Sequence, residues 1–366
     1  MILNEFKLER YFALHEFTAK YLLSSSDCDG FPLSYVLDTA NETEKVLWDQ
    51  MTLGYTESQG LPLLREAILS YYQLDAIENV LVASPGELNF SAMNVLLDPG
   101  DHVISIAPSY QSLYEVIRSV GCEMSFWKPR VEDWQFSLAD LETLIRPNTK
   151  LLVINFPHNP TGAYLKPGDL QQLIELVRKH NIYLFSDEMY HHLNLEGPLL
   201  SPVADLYEKG ISLWGTSKSF GLAGLRIGWL VSRDTEFLRK VLAFKDYLSI
   251  CSSAPGEILA LIALSHPEKF IQPNLEKIKS NIALFRKFAE EHTFIEKFIP
   301  PKAGSTAFVK INCPGSALDF SNQLVKDTGI MTLPAEMFEY SGPYLRIGFG
   351  RSVFPLILER LSDYLV

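Results

Sequence analysis

The chain has 366 residues, 47% of them hydrophobic, so it is long enough to bury a large core and to form more than one domain. Its 44 acidic and 32 basic residues give a net charge of -12, which argues against nucleic acid or an anionic membrane as the main partner. Four scattered cysteines without a CxxC pair predict reduced thiols in a cytoplasmic protein, and no signal segment or membrane-spanning run is expected.

Short apolar runs alternate with amphipathic stretches between about residues 50 and 245. Strands are predicted at 79–83, 101–106, 150–156, 182–186, 211–214 and 227–232, and helices at 61–72, 87–97, 112–120, 169–180 and 236–248. Apolar strands separated by helices are typical of a mostly parallel sheet covered on both faces, so an α/β fold is predicted.

The end of the chain has a different pattern. Residues 306–311 and 343–349 alternate like half-buried antiparallel strands, and 354–365 are predicted to form a closing helix. We therefore predict a large domain over 46–248 and a smaller α+β domain over 249–366, which the N-terminal segment 1–45 joins. The eight histidines lack ligand spacing, so no metal site is expected.

Polar residues follow three of the predicted strands at their carboxyl ends, where open α/β sheets bind ligands. The three exits are Pro-His-Asn-Pro-Thr-Gly at 157–162, Asp-Glu-Met-Tyr at 187–190 and the Gly-rich loop 215–228. In that loop Lys218 is followed eight residues later by Arg226. This pair suits an aldehyde cofactor with a phosphate tail, because a lysine can form a Schiff base and an arginine can hold the phosphate.

Together these elements resemble the fold-type I pyridoxal-phosphate enzymes of the class I/II aminotransferase family. The family's Asn-Pro-x-Gly, Asp-x-x-Tyr, Ser-Lys and Arg-x-Gly elements occur in order at 159–162, 187–190, 217–218 and 346–348. The resemblance extends from Tyr55 to Arg346. It implies a three-layer αβα large domain with a mostly parallel sheet, a smaller α+β domain, the cofactor pyridoxal 5'-phosphate (PLP), and transfer of an amino group from an amino acid to a 2-oxo acid.

The resemblance assigns a role to each residue that would hold the cofactor ring. Lys218 would carry the Schiff base and move the proton at the substrate α-carbon, and Asp187 would pair with the pyridine nitrogen. Asn159 and Tyr190 would bind the phenolic oxygen, and Tyr110 would stack on the ring.

The cofactor phosphate would be held by Arg226 and by the backbone at the start of a helix, since a helix N-terminus favours an anion. This corner departs from the family pattern. Ser84, Pro85, Gly86 and Glu87 replace a small pair, and Pro85 has no N–H to donate. Position 215 is glycine where many relatives carry a hydroxyl, so Ser217 or Thr216 is expected to compensate.

The α-carboxylate of the substrate needs a bidentate cation, which the resemblance assigns to Arg346. Strand alternation directs Leu345 and Ile347 to the core and Arg346 to the other face. Asn159, Ser25 and Ser26 are the other predicted substrate residues.

The side chain of the amino donor is predicted from charge. The stretch 246–252 has no cation to pair with an acidic side chain, and Asp27 and Asp29 would repel one if either faced the site. Neutral or basic donors are therefore expected to be better than aspartate.

Two residues resemble family members that act across a dimer. Tyr55 resembles the tyrosine that reaches the partner's phosphate, and Ser253 the serine that acts beside it. A homodimer with shared active sites, acting on small molecules, is therefore predicted.

Other functions stay open at this point. A β- or γ-elimination, a decarboxylation or a side-chain cyclisation could use the same residues, and segment 22–29 resembles a branch with biosynthetic enzymes for modified arginine residues. A PLP-binding transcriptional regulator is disfavoured, because no room for a DNA-binding domain precedes residue 50. A catalytically inactive binding module is disfavoured because every core chemical residue is present.

Overall fold

The computed structural model describes residues 2–365, which form thirteen strands and fourteen α-helices, numbered here in chain order. The strands are β1 Tyr21–Leu22, β2 Val80–Ala83, β3 His102–Ile106, β4 Glu123–Trp127, β5 Thr149–Asn155, β6 Tyr183–Asp187, β7 Gly210–Gly215, β8 Gly228–Ser232, β9 Ile295–Lys297, β10 Thr306–Ile311, β11 Ile330–Met331, β12 Leu333–Pro334 and β13 Tyr344–Gly348.

The helices vary in length from one turn to 25 residues. They are α1 Lys7–His15, α2 Leu33–Thr39, α3 Glu42–Asp49, α4 Pro62–Leu69, α5 Pro85–Leu96, α6 Ser112–Val120, α7 Leu138–Leu144, α8 Pro167–Lys179, α9 Val203–Leu206, α10 Thr235–Lys245, α11 Ala254–Ser265, α12 Pro267–Glu291, α13 Ala317–Thr328 and α14 Phe354–Leu365. Short 3₁₀ turns lie at Ile77–Asn79, Ala223–Leu225 and Ala335–Phe338.

Seven strands form one sheet in the order β2-β8-β7-β6-β5-β3-β4. Strands β7, β6, β5, β3 and β4 run parallel, and β8 is antiparallel to both of its neighbours. The carboxyl ends of β5, β6 and β7 therefore lie side by side at one edge, and the three polar exits of the sequence follow them.

Helices cover both faces of this sheet, as adjacent strand residues show. Val153 packs in a cluster with α5, α6 and α10, whereas its neighbour Leu152 packs with α7, α8 and α9. Phe185 and Leu184 divide between the same two clusters. Since successive strand side chains point to opposite faces, the sheet is the middle layer of three. The predicted α/β class and mostly parallel sheet are confirmed.

A second, antiparallel sheet has the order β12-β13-β10-β9 and carries Arg346, which lies opposite Phe308 in the β10–β13 register. The N-terminal segment reaches this region, because β1 pairs in parallel with β11 through Tyr21 and Ile330. The domain boundaries at 45 and 248 stay predictions.

The strands and helices predicted in the parallel part agree with the structure to within three residues at most ends. The sequence reading missed β4, whose residues are mostly half exposed at the sheet edge and so form no continuous apolar run. Among residues 2–365, no helix combines the length and the apolar character that crossing a bilayer requires.

Candidate active site

A cavity of about 230 Å³ opens where the exits of β5, β6 and β7 meet α5, α1 and β13. It brings together most of the predicted site residues, which come from distant parts of the chain. These are Ser26, Pro85, Gly86, Tyr110, Asn159, Asp187, Tyr190, Ser217, Lys218, Arg226 and Arg346.

Asp187 is the last residue of β6, and it lies half-buried at the cavity wall. Burial raises its pKa to about 6, and the nearby Lys218 opposes that rise only in part. One carboxylate oxygen accepts the N–H of Met189 at 3.1 Å, and no described residue donates to the other. A half-buried carboxylate with a free oxygen suits a cationic N–H donor.

Asn155, which sequence reasoning missed, joins two of the strand exits. Its amide nitrogen donates to the carbonyl of Asp187 at 2.8 Å, and its side-chain oxygen accepts the backbone N–H of Asn159 at 2.8 Å. Asn155 ends β5 beside Asp187, its register partner on β6. The bridge therefore fixes Asn159 and Asp187 relative to each other.

Lys218 follows β7 and is the one lysine among the described residues that line the cavity. Its ammonium group donates to the hydroxyl of Ser26 at 3.0 Å. Ser26 is held in turn, since its carbonyl accepts the Ser305 hydroxyl at 2.5 Å. The N-terminal segment therefore holds the side chain of Lys218 at the cavity.

The phosphate corner contains one cation and two unused donors. Arg226 lines the cavity with an exposed side chain, and one of its guanidinium nitrogens donates to the Ala223 carbonyl at 3.2 Å. Gly86, in the first turn of α5, faces open space, and its N–H makes no hydrogen bond within residues 2–365. The Ser217 hydroxyl is buried without a partner, whereas Thr216 already bonds the Ile227 carbonyl at 3.1 Å.

Pro85 and Gly215, the two departures from the family pattern at this corner, belong to one packing arrangement. Gly215 and Gly228 are cross-strand partners on β7 and β8. A Cβ at Gly215 would lie 2.9 Å from the Gly228 Cα, and one at Gly228 would lie 2.7 Å from the ring of Pro85. A side chain with a hydroxyl at position 215 would therefore separate the strands. Ser217 is the hydroxyl that remains free here.

Tyr110 enters the cavity from the loop before α6 and is held from two sides. Its hydroxyl donates to the Glu9 carboxylate at 2.6 Å, and its ring lies 5.0 Å from that of Phe6. Burial, followed by the charge of Glu9, raises the pKa of Tyr110 well above its usual value. His158, buried and bonded to the Pro108 carbonyl at 2.8 Å, ties this loop to the exit of β5.

Arg346 is almost fully buried, at 2% exposure, rather than on a surface. Two of its nitrogens donate to the Ser24 carbonyl at 3.0 and 2.8 Å, and a third donates to the Asn159 side chain at 3.2 Å. Its acceptors within residues 2–365 are a carbonyl and an amide, and none is a carboxylate. The guanidinium is thus oriented without a carboxylate partner, which suits an incoming carboxylate.

Gly348 explains the Arg-x-Gly spacing. A Cβ there would lie 1.7 Å from the Ser25 carbonyl oxygen, so only glycine lets segment 24–26 cross β13. This crossing brings the Ser24 carbonyl to Arg346.

Several predicted residues lie outside the cavity. Ser25 is buried against β13, which corrects its assignment to the substrate site, because Ser24 and Ser26 make the contacts instead. Ser84 caps α5, and Glu87 accepts the Ser249 hydroxyl at 2.6 Å. Tyr55 is 88% exposed.

The predicted influence of Asp27 and Asp29 on the substrate is wrong in its premise. Asp27 pairs with Arg351 at 2.9 Å, Asp29 pairs with Lys277 at 2.8 Å, and neither residue lines the cavity. Besides Asp187, the carboxylate that lines the cavity is Glu9 of α1. Sequence reasoning gave no role to α1, nor to Leu8, Phe12 and Asn89, which also line the cavity.

These residues fit PLP. Asp187 can pair with a ring nitrogen, Lys218 can react with an aldehyde, and the corner of Arg226, Gly86 and Ser217 offers a cation, an N–H and an unpartnered hydroxyl to a phosphate.

Comparison with known proteins gives the same answer. A model of the family "Aminotransferase class I and II" matches residues 18–353. A PLP-dependent aminotransferase from Streptococcus suis is 30% identical and superposes with a TM-score of 0.93, covering 100% of this chain and 98% of that one. An aspartate aminotransferase of Sulfolobus acidocaldarius is 28% identical over 89% of this chain and 85% of its own length. Capreomycidine synthase of Streptomyces vinaceus is 28% identical over 95% of this chain and 88% of its own length.

The family match and the whole-chain superposition confirm the resemblance that the motifs predicted, together with its fold and its cofactor. The chain belongs to the class I and II aminotransferases and is a PLP-dependent enzyme that transfers an amino group between an amino acid and a 2-oxo acid.

Proposed function

We propose that Lys218 is the residue that binds PLP covalently and that its amine then moves the proton at the donor α-carbon. The observation that carries this proposal is its position as the one lysine of the described cavity lining. Bound PLP supplies an aldehyde for the donor's amino group and a ring that withdraws electrons from its α-carbon. The hydrogen bond to Ser26 keeps the Lys218 amine within the cavity before the cofactor binds.

The neighbouring residues would hold the ring in place. Asp187 would pair through its free oxygen with the ring nitrogen and keep that nitrogen protonated, while Asn159 and Tyr190 would bind the phenolic oxygen and Tyr110 would stack on the ring. The bridge through Asn155 fixes two of these groups at one spacing.

For the phosphate, Arg226 would supply the charge, and Gly86 and Ser217 would supply hydrogen bonds. Ser84, Pro85 and Glu87 contribute by forming the first turn of α5, because the Ser84 side chain caps the helix and Pro85 has a φ suited to its first position.

Arg346 would bind the α-carboxylates of both the amino acid and the 2-oxo acid. Because the Ser24 carbonyl and Asn159 already orient its guanidinium, little conformational entropy remains to be lost when a carboxylate arrives.

The donor is proposed to be a neutral or basic amino acid rather than aspartate. Lys218, Arg226 and Arg346 are the cations of the described lining, and each already has a role. An acidic side chain would therefore lack a partner, and burying it would be costly.

The active unit is proposed to be a cytoplasmic homodimer with shared sites. Large side chains are exposed on two neighbouring loops, with Leu53 at 84%, Tyr55 at 88% and Tyr247 at 92% exposure. The buried Lys245 ties these loops together, since its ammonium donates to the carbonyls of Ser58 at 3.0 Å and Ile250 at 2.6 Å. Mixing Lys218→Ala with Tyr55→Phe chains should restore part of the activity, and a monomer at assay concentration would contradict sharing.

A side-chain cyclisation is the second candidate reaction, because capreomycidine synthase is similar to the chain over nearly its whole length. The two reactions differ in where the amino group goes. A single turnover with each amino acid, without an oxo-acid acceptor, should yield one 2-oxo acid per site and retain the amino group on the enzyme. Release of a product that keeps its α-amino group would favour cyclisation.

The assignment of Lys218 is tested by borohydride reduction of the holoenzyme followed by peptide mapping. The pyridoxyl group should be on Lys218, and Lys218→Ala should bind the cofactor without that covalent bond and lose turnover by about 10²–10⁴-fold or more. Lys209→Ala, a surface change that keeps the cavity intact, is the control. Labelling of another lysine would overturn the assignment.

A further inference from the structure

Glu9 is the charged residue of the described cavity lining that has no task in amino transfer. Two carboxylates and three cations line the cavity, namely Glu9, Asp187, Lys218, Arg226 and Arg346. The proposed function uses the last four for the ring nitrogen, the aldehyde, the phosphate and the α-carboxylate. The remaining carboxylate faces the same space.

The position of Glu9 is fixed by several contacts around α1. One carboxylate oxygen accepts the hydroxyl of Tyr110 at 2.6 Å, and no described residue donates to the other oxygen. Gln111 fastens the start of the helix, because its side chain accepts the N–H of Lys7 at 2.9 Å and donates to the Glu5 carbonyl at 2.9 Å. Glu9 is therefore held in place with one oxygen free.

The same helix lies beside the group proposed to bind the α-carboxylate. Phe12, one turn after Glu9, lines the cavity and lies 6.0 Å from the Arg346 guanidinium, measured to the ring centroid. A donor held through its α-carboxylate on Arg346 would thus be covered by α1, so its side chain has α1 among its neighbours.

A second carboxylate, Glu16, directly follows the end of α1. Glu16 lies seven residues after Glu9, on the same helical face. Burial, and then the charges of Asp27 and Glu9, raise the pKa of Glu16, while Arg351 and Lys218 oppose the rise.

From this arrangement we propose that Glu9 selects an amino donor with a cationic side chain, a guanidinium or ammonium group, by accepting a charge-assisted hydrogen bond on its free oxygen. The inference rests on the proposed function of the cavity and names its substrate class. An apolar side chain would leave that oxygen desolvated and unpartnered, and an acidic one would meet a like charge. A cationic side chain would pair with the free oxygen of Glu9, so neither charge would be buried without a partner.

The test compares donors that differ only in charge. For the wild-type holoenzyme, kcat/KM for arginine should exceed that for citrulline, its neutral counterpart, by about tenfold or more. Glu9→Gln should lower the value for arginine by about tenfold to a hundredfold and the value for citrulline by less than about threefold. Lysine and norleucine give a second pair, which separates an ammonium from a guanidinium preference.

The control is Glu5→Gln, which removes the same charge from an exposed residue just before α1. It should leave kcat/KM unchanged for both arginine and citrulline. Glu9→Lys should invert the ranking and favour glutamate over arginine. The inference is overturned, without any variant, if the wild-type enzyme has the same kcat/KM for citrulline as for arginine and the same kcat/KM for norleucine as for lysine. A loss in Glu9→Gln that is equal for all donors also overturns it, because Glu9 would then act only by holding Tyr110.

A binding measurement separates this inference from the proposed function. 5-Guanidinopentanoate carries the carboxylate and the guanidinium but no α-amino group, and 5-ureidopentanoate is its neutral counterpart. In calorimetry the first should bind the wild type about tenfold tighter than the second, and Glu9→Gln should remove the difference. If no amino acid is converted but this preference holds, the proposed function fails and the Glu9 inference stands. If amino acids are converted and the preference is absent, the inference alone fails.

Discussion

The two sides of the cavity are built in different ways. On the cofactor side, Asp187, Asn159 and Lys218 each follow a strand of one sheet, and the bridging Asn155 is 4 residues from Asn159 and 32 from Asp187. On the substrate side, Arg346 is held by Ser24, 322 residues away, and Glu9 is held by Tyr110, 101 residues away. The sheet edge can position Asp187 and Asn159, whereas Arg346 and Glu9 reach their places only after the N-terminal segment has packed on the rest of the chain.

This difference predicts that changes on the two sides have separable effects. Changes on the cofactor side should alter cofactor affinity, and changes on the substrate side should alter amino-acid affinity while the cofactor remains bound. Three substitutions test this separation, and a fourth, at Glu188, tests a buried carboxyl group outside the cavity.

Arg346→Ala should have the largest effect. Loss of a bidentate pair worth roughly 1.5–3 kcal/mol per hydrogen bond lowers kcat/KM by about 10²–10⁴-fold, mainly through KM. Steady-state kinetics measure the effect on the substrate side, and the absorbance of the bound cofactor measures the effect on the cofactor side. Arg346→Lys, which keeps the charge but loses the fork, should recover only part of the loss. A weakened cofactor in Arg346→Ala would show that the sides are coupled.

Asp187→Asn should weaken PLP binding by about tenfold to a hundredfold, because the variant loses a charge-assisted bond to the ring nitrogen. The same substitution should not destabilise the cofactor-free protein. Burial raises the Asp187 pKa to about 6 from its ordinary value of 3.8, so the ionised group destabilises the folded chain as the pH rises through that range. Thermal unfolding of the cofactor-free variant at pH 8 should therefore show a Tm at or above that of the wild type. A clear drop would mean that Asp187 is structurally required.

Gly348→Ala should destabilise the protein by about 1–3 kcal/mol, because the new Cβ would meet the Ser25 carbonyl. Displacement of segment 24–26 should also raise KM for the amino acid. Gly168→Ala is a matched control, since it lies in α8 with open space around its Cβ position, and it should be neutral or slightly stabilising. Denaturant unfolding and steady-state kinetics measure the two effects, and an unchanged KM would count against a role for the segment in orienting Arg346.

Glu188→Gln should change how steeply the free energy of unfolding depends on pH. Burial raises the pKa of Glu188 to about 8 from 4.5, although Val203 N–H and the Ser212 hydroxyl donate to it at 3.0 Å. The folded state therefore binds this proton more tightly than the unfolded state. Its contribution to stability is full below about pH 4.5 and falls by at most about 1.4 kcal/mol per pH unit until about pH 8. The free energy of unfolding of the variant should fall less over that range, and equal slopes would contradict the assignment.

The cofactor side was largely predictable from the sequence because each residue there follows an apolar strand in a spacing typical of one chemistry. Lys218, Asp187 and Arg226 could be named without a structure for that reason. On the substrate side, only the family resemblance gave Arg346, Asn159 and Ser26, which line the cavity.

Other parts of the site and of the fold have no recognisable pattern in the neighbouring sequence. Glu9 lies on a short helix whose buried residues are Leu8 and Tyr11, and only the contact of Glu9 with Tyr110 reveals the cavity it faces. Ser24 acts through its carbonyl, which every residue possesses. The long helix α12 was not predicted either, since Pro273 in its interior interrupts the expected pattern.

The contact of Pro85 with Gly228 has a consequence for how this corner can change by mutation. Position 215 cannot accept a side chain while Gly228 lies 2.9 Å from where its Cβ would be, and Gly228 cannot move away while the Pro85 ring packs on it. The three positions are thus epistatic: the effect of a hydroxyl at 215 depends on what occupies 85 and 228. A route to a hydroxyl at position 215 would have to replace Pro85 first, and a library that varies these positions singly would miss it.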